Sequence, residues 1–295
     1  MTNKDLLLAL IVNIFWAFNF VAAKYGLAHF PAFLFTALRF LLLLILLAPL
    51  LRPVPGHTRR LLLIGLVMGI GHFSLMFWGM SVSSDVSSIA IASQLYVPFS
   101  TLLAVLFLSE TIRWRRTLGM VVAFLGVMVI GFDPAVLDNL VGLLLVAGAA
   151  LAMAAANIFI SQLRGQVKPL ALQAWVALIA MPGLLILSLI FEQGQWQALR
   201  SAGLLEWSSV AYSTIGASVI GHGVLAYLLG RYPVSTVSPF MLLTPVFAVT
   251  FGVTIWGDQL TWQLLLGGGM TLVGVAIIAL RSARKLDQSK LGQSR

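Results

Sequence analysis

Apolar residues run along this chain in blocks of about twenty, each closed by a short polar or Pro/Gly-containing tip. Breaking the chain at that punctuation gives ten segments: residues 5–28, 33–51, 61–80, 85–108, 115–132, 141–163, 170–191, 207–230, 234–256 and 262–281. A bilayer core takes about 20 apolar residues per helix, so the pattern predicts an all-α membrane protein with ten transmembrane helices. Connections are short, and the longest runs from Glu192 to Glu206. The first apolar run, Leu6 to Val21, continues past Lys24 without a small-residue cleavage site, which reads as a retained helix rather than a removed signal peptide.

The same pattern occurs twice. Pro98, Glu110, Gly119 and Gly126 return as Pro245, Asp258, Gly267 and Gly274, at an offset of about 148 residues, and Gly71-His72 returns as Gly221-His222. The predicted halves are residues 1–132 (helices 1–5) and 141–281 (helices 6–10), followed by a polar cytoplasmic tail, 282–295. Five helices is an odd number, so the second copy enters the membrane upside down. Two inverted five-helix repeats place substrate and ion sites where the repeats meet, the arrangement of a secondary transporter working by alternating access.

Charge fixes the orientation. Of the 18 basic residues, 15 fall on the side holding Lys4, the tips around Arg59 and Arg115, and the tail. The opposite side keeps Lys24 and Arg200 with Asp85, Asp133, Asp138, Glu192, Glu206 and Asp258. Basic residues gather on the cytoplasmic side, so both termini are expected there, and the net charge of +9 is a topology signal. Nucleic acid is not an expected partner, because the charges sit in short loops instead of one face. A chain that is 60% hydrophobic and 9% charged, with mean hydropathy +1.01, has no route to a water-soluble core of this size. Cysteine is absent, which removes disulfide and thiol chemistry.

Polar side chains inside such segments mark the candidate pocket, since they face the bundle interior rather than lipid. Asn13, Trp16, Asn19 and Phe20 share one face of the first helix, within about 120° of arc. Interhelical hydrogen bonding is the structural alternative to cavity lining there. His72 and His222 stand at matching repeat depths, and their imidazoles are the mid-membrane groups suited to proton exchange near neutral pH. Met76 lies one turn beyond His72 on the same face. Gln94 precedes Pro98 by one turn, and Pro98 and Pro245 are candidate hinge or gate positions because proline bends a helix. Thr244 and Asn157 complete the candidate substrate-binding set. Glu110 and Asp258 read as interfacial anchors, and the Gly65/Gly69, Gly119/Gly126 and Gly267–Gly269 positions as close helix packing.

Two cations are left ambiguous. Arg39 lies inside the second helix, where a charge costs about 2.5–3.5 kcal/mol on insertion scales. Snorkelling, pairing with helix-end carbonyls and binding a substrate carboxylate are all open to it. Lys24, near the outer end of the first helix, has the same choices.

Trp16-Ala-Phe-Asn19-Phe20, Leu38-Arg39-Phe40 and the Pro98–Gly126 and Pro245–Gly274 stretches resemble the EamA family of the drug/metabolite transporter superfamily over essentially the whole chain. The resemblance implies ten helices, a central cavity lined mainly by helices 1, 3, 4, 6, 8 and 9, and export of small metabolites across the bacterial inner membrane. Within the family, Phe15-Trp16, Asn19-Phe20, Gln94 and Asn157-Ile158-Phe159 look most like the branch that exports cysteine and O-acetylserine.

The missing motifs narrow the function. There is no Walker loop for ATP, no HExxH or other metal set, and no nucleophile elbow, so no cofactor, metal or catalytic residue is expected. No carboxylate lies at mid-membrane depth, which leaves the histidines or the substrate to carry protons, should protons be coupled. The expected activity is export of amino acids or their derivatives, with the lipid bilayer and a small-molecule substrate as partners. A multidrug or toxic-compound exporter and a passive facilitator or channel are the alternatives. Monomer and homodimer are both compatible with the sequence.

Overall fold

The computed structural model describes residues 2–108, 114–133, 140–163, 166–231, 240–241 and 243–293. Its first half holds α1 (Asn3–Leu27), α2 (Ala32–Leu47), α3 (Thr58–Val82), α4 (Ser87–Phe107) and α5 (Trp114–Gly131). Its second half holds α6 (Leu140–Ser161), α7 (Pro169–Phe191), α8 (204–231), α9 (Leu243–Trp256) and α10 (Trp262–Gln293), with a short helix, Gln195–Ser201, between α7 and α8. No strand occurs among the described residues. By length and composition six helices suit a membrane crossing, namely α1, α2 (counted to Leu50), α3, α4, α6 (to Ile160) and α7. Thr117–Gly131, Leu243–Trp256 and Trp262–Ile278 are shorter apolar helices. Large side chains such as Leu106, Phe107, Leu189 and Phe191 are exposed on the outside, as lipid-facing residues would be.

Glycines set how closely the helices pack. A Cβ on Gly119 would lie 2.8 Å from the Gly274 carbonyl, and one on Gly126 would lie 2.5 Å from that of Gly267. Gly119 is the repeat partner of Gly267, and Gly126 of Gly274. Each glycine therefore meets the partner of the other, as across a two-fold axis, and α5 and α10 run antiparallel in backbone contact. Gly69 gives α3 the same intimacy with Val176 and Ala180 on α7, and Gly79 does so with Gly142 and Val146 on α6. Of the glycines expected to pack closely, Gly65, Gly69, Gly119, Gly126, Gly267 and Gly268 do so, whereas a Cβ on Gly269 would meet open space.

Among the described residues, three helices contain turns wider than those of an α-helix. Residues Gly65–His72 of α3, Tyr212–Gly221 of α8 and Gly252–Trp256 of α9 form wider i→i+5 turns. α4, expected as continuous over 85–108, is interrupted at Gln94–Leu95. Proline explains the break. Pro98 has no N–H for the Gln94 carbonyl, and the Val97 N–H takes that carbonyl instead in a tighter turn, at 3.0 Å.

Pro245 sits in the first described turn of Leu243–Phe251, directly after residue 242, which falls outside the described residues. The predicted beginning of that segment, 234–239, falls outside the described residues, as does Glu110. Pro182, inside α7, is an interior proline that the sequence reading passed over.

Charged side chains tie helix ends together. Glu192 accepts from the Phe33 and Leu34 N–H groups at 2.7 and 3.0 Å, capping α2. Asp258 accepts from the Val86 and Ser87 N–H groups and, at 2.6 Å, from the Ser87 hydroxyl. The anchor expected at the end of α9 is thus a cap on α4, joining the two halves. Lys24 donates to the carbonyls of Met80 and Ser83 at the end of α3. Carboxylates at helix N-termini and an ammonium at a C-terminus each complement the helix dipole.

Candidate functional site

One cavity of about 450 Å³ lies between the halves, within the size range of small-molecule sites. Helix α1 supplies Trp16, Asn19 and Phe20, and α3 supplies His72 and Met76. Gln94 comes from the break in α4, Asn157 from α6, His222 from α8 and Thr244 from the start of α9. All nine candidate substrate-binding residues therefore line the same space. Pro98 and Pro245 are not among the lining residues, although each adjoins one through its helix break or first turn.

Local structure places each group. The i→i+5 turn of α8 presents the Ala217 carbonyl to two donors at once, the Trp16 indole Nε1 at 3.0 Å and His222 Nδ1 at 3.0 Å. The indole and imidazole rings lie 5.2 Å apart. His72 Nδ1 reaches across to the Ala149 carbonyl of α6 at 2.8 Å. A carbonyl only accepts, so both histidines carry a proton on Nδ1, and Nε2 of each neutral ring is left as an acceptor. Thr244 donates to the Asn13 carboxamide at 2.6 Å, and Asn13 donates to Ala9 of its own helix at 2.7 Å. Asn13 is buried and absent from the lining, so hydrogen bonding within the bundle describes it better than a pocket role. Asn157 donates weakly to the Ser100 hydroxyl, at 3.4 Å.

Helices 2 and 7 also contribute, beyond the set the resemblance implies. Arg39 enters from α2, and Pro169, Leu172, Gln173 and Val176 from α7. Gln173 and Tyr96 were missed at the sequence level. The signal for Gln173 was available, since it is a polar residue inside an otherwise apolar segment. The methionines Met68, Met80 and Met153 join Met76, and nothing in an apolar sequence marks a methionine as pocket rather than core.

The two ambiguous cations separate. Lys24 is buried at the helix-end carbonyls already named, 5.9 Å from the Trp256 ring, and does not line the cavity. Arg39 is 3% exposed and faces the cavity. Its guanidinium carbon stands 4.8 Å from the Phe73 ring centre and 5.3 Å from that of Phe77, and one terminal nitrogen donates to the Ser218 hydroxyl at 2.9 Å. No aspartate or glutamate is among the lining residues.

A membrane chain in two related halves, with a small-molecule cavity between them, has the anatomy of a transporter. The chain belongs to the EamA-like transporter family, which it matches twice, over residues 3–132 and 140–280. It is 31% identical to a Salmonella typhimurium protein named "Probable amino-acid metabolite efflux pump", over 94% of this chain and 95% of that one. An Escherichia coli protein of the same name is 28% identical over the same shares. The transporter YoaV of Bacillus subtilis is 26% identical, over 96% of this chain and 99% of its own. A crystal structure of another protein, 18% identical, superposes with a TM-score of 0.64 over 97% of this chain and 99% of that one, which shows a shared fold. The protein is a multi-pass integral membrane transporter, of the inner membrane in bacteria, with a small-molecule substrate and a lipid surround.

Proposed function

We propose that this protein exports amino acids or amino-acid derivatives by alternating access, as a secondary carrier and not an enzyme. The observation carrying the proposal is a cavity lined from both halves, with aromatic and methionine walls and a few convergent polar groups. The ten helices all cross the membrane, the second five inverted on the first, with both termini cytoplasmic because 15 of the 18 basic residues lie on that side. Residues 1–132 and 141–281 are the two moving halves, and 282–295 is a cytoplasmic tail.

In this reading the outer side is shut. Lys24, Asp258 and the Trp256 indole, which donates to the Ser84 carbonyl at 3.1 Å, join the outer ends of α1, α3, α4 and α9. Cargo then loads past Pro169 and Leu172, at the end of α7 next to Lys168, on the basic side. Trp16, Asn19, Phe20, His72, Met76, Gln94, Asn157, His222 and Thr244 contact it, and the helix break at Pro98 and the first described turn at Pro245 are the hinges. The names of the Salmonella and Escherichia relatives support amino-acid-like cargo. A second reading, export of drug-like compounds, is favoured by the four cavity methionines, since such side chains repack around varied apolar shapes.

Reconstituted vesicles test the proposal. Purified protein preloaded with unlabelled amino acid should accelerate entry of the labelled compound by counterflow, with saturation. Flux that never saturates and shows no counterflow would make the protein a passive facilitator. Counterflow of lipophilic drugs but of no amino acid would select the second reading.

A further inference from the structure

Two residues that line the cavity each hold a buried polar atom without a partner: the Nε–H of Arg39 and the Oδ1 of Asn19. One is a cationic donor and the other a neutral acceptor. Burying either without a hydrogen bond is costly, and an unpaired buried charge is the costlier of the two. The site is nevertheless built to hold the cation. Ser218 fixes one terminal nitrogen, and the faces of Phe73 and Phe77 flank the guanidinium.

We propose that Arg39 and Asn19 form the head-group subsite for a small zwitterion, the guanidinium taking its carboxylate and the Asn19 carboxamide oxygen taking its ammonium. The class of ligand follows from the charge inventory. Arg39 is the one charged side chain among the described lining residues, with no lysine, second arginine or carboxylate beside it. A single guanidinium matches a monoanionic carboxylate in fork geometry, whereas a phosphate dianion would need a second cation. A purely cationic compound would meet repulsion from Arg39 and no compensating carboxylate. The methionine and phenylalanine walls then receive an apolar side chain. This subsite rests on the amino-acid reading above, and it selects within that reading for the free acid over its amide or ester.

The test separates binding from transport. Detergent-purified protein is titrated with L-leucine, L-leucinamide and 4-methylpentanoate, which lacks the amine, and the shift in unfolding midpoint gives each affinity. The parent should prefer leucine over leucinamide by roughly tenfold or more, the usual size of a charged hydrogen bond. Arg39→Gln should bring that ratio within about twofold, by weakening leucine and by sparing or strengthening leucinamide, whose lone ammonium is no longer repelled. Asn19→Ala should keep the acid-over-amide ratio and lose the preference for leucine over 4-methylpentanoate. An acid-over-amide ratio unchanged in Arg39→Gln overturns the proposal. If the glutamine variant does not fold, Arg39→Lys decides through the same ratio. A fall in the ratio with leucinamide affinity unchanged supports the subsite, since lysine lacks the fork, and an unchanged ratio overturns it. A parent that binds none of the three compounds overturns the subsite while amino-acid counterflow still stands or falls separately. Absent counterflow with Arg39-dependent binding of 4-methylpentanoate overturns the carrier reading and keeps the subsite.

Discussion

The two Gly-His positions occupy equivalent places in the two halves, yet their surroundings differ. In α3 the wide turn Gly65–His72 ends on a histidine that reaches another helix, through the Ala149 carbonyl of α6. In α8 the wide turn Tyr212–Gly221 ends on a histidine that bonds back to its own turn, at Ala217, and packs on Trp16. The glycines diverge too. A Cβ at Gly71 would sit 3.6 Å from its nearest neighbour, the Leu66 carbonyl, in ordinary contact. One at Gly221 would collide with the Trp16 indole nitrogen. Backbone symmetry has been kept while the side-chain partners were divided between holding helices together and shaping the pocket. A carrier needs that asymmetry, because the substrate it binds is not two-fold symmetric.

The comparison assumes that the second half is inverted, and the largest expected effect tests that. Single cysteines at Arg59 and Arg115 should react with a membrane-impermeant maleimide only from the cytoplasm, and a cysteine at Gln197 only from outside. The contrast is all or none. Labelling of the Arg115 and Gln197 positions from one face would remove the inverted relation between the two histidines.

Next in size is proton coupling. Both rings line the cavity with Nδ1 held by a backbone carbonyl, and either is the expected carrier of a coupled proton. Glutamine keeps a hydrogen-bonding side chain and cannot titrate. In vesicles with an imposed pH gradient, the His72→Gln/His222→Gln double variant should lose uphill accumulation and keep downhill exchange. Uphill accumulation that survives in the double variant would return both histidines to a structural role.

How much of this was legible in the sequence depends on what each residue type reveals. Periodic apolar blocks and duplicated Pro, Gly and His positions gave the helical order, because membrane helices must be continuous and apolar. Polar side chains at depth gave Asn19, His72, Gln94, Asn157, His222 and Thr244, because lipid leaves them nowhere else to point, and Trp16, Phe20 and Met76 followed from sharing their helix faces. Arg39 and Lys24 looked alike in sequence. Only the fold puts one beside helix-end carbonyls and the other in the cavity wall. Tyr96, Met68, Met80 and Met153 carried no signal, since apolar side chains line cores and pockets equally. Pro245 was read as a bend by its repeat match to Pro98, and the described part of its helix begins only two residues before it, at Leu243.

A smaller effect sharpens the glycine contrast. Gly221→Ala should displace the Trp16 ring, an overpacking cost of about 1–3 kcal/mol, and lower export roughly tenfold. Gly71→Ala should leave export within about twofold, because its added methyl meets only ordinary contacts. Trp16→Ala should reproduce the Gly221→Ala loss without the overpacking, as both remove the indole from the Ala217 carbonyl. Equal effects of the two glycine substitutions on initial export rates would mean that the pocket does not depend on where Trp16 sits.

The smallest expected effect concerns what each histidine bond is worth. Replacing either ring by alanine removes the same volume from a similarly half-buried position, so the difference between the two variants reports the bonds. His72→Ala deletes a link between α3 and α6, and the side-chain donor to the Ala149 carbonyl goes with it. Interhelical hydrogen bonds in membranes are worth about 0.6 kcal/mol on average and about 1.7 at most. His222→Ala deletes a bond within one helix, and the Ala217 carbonyl keeps the Trp16 indole as its donor at 3.0 Å. His72→Ala should therefore unfold at a midpoint roughly 2–4 °C below that of His222→Ala, the shift expected for about 1 kcal/mol in a chain of this size. Thermal unfolding of both variants in the same detergent gives the comparison directly. If His222→Ala proves the less stable of the two, the α8 histidine is the structural one and the division of labour drawn from the bond partners is reversed.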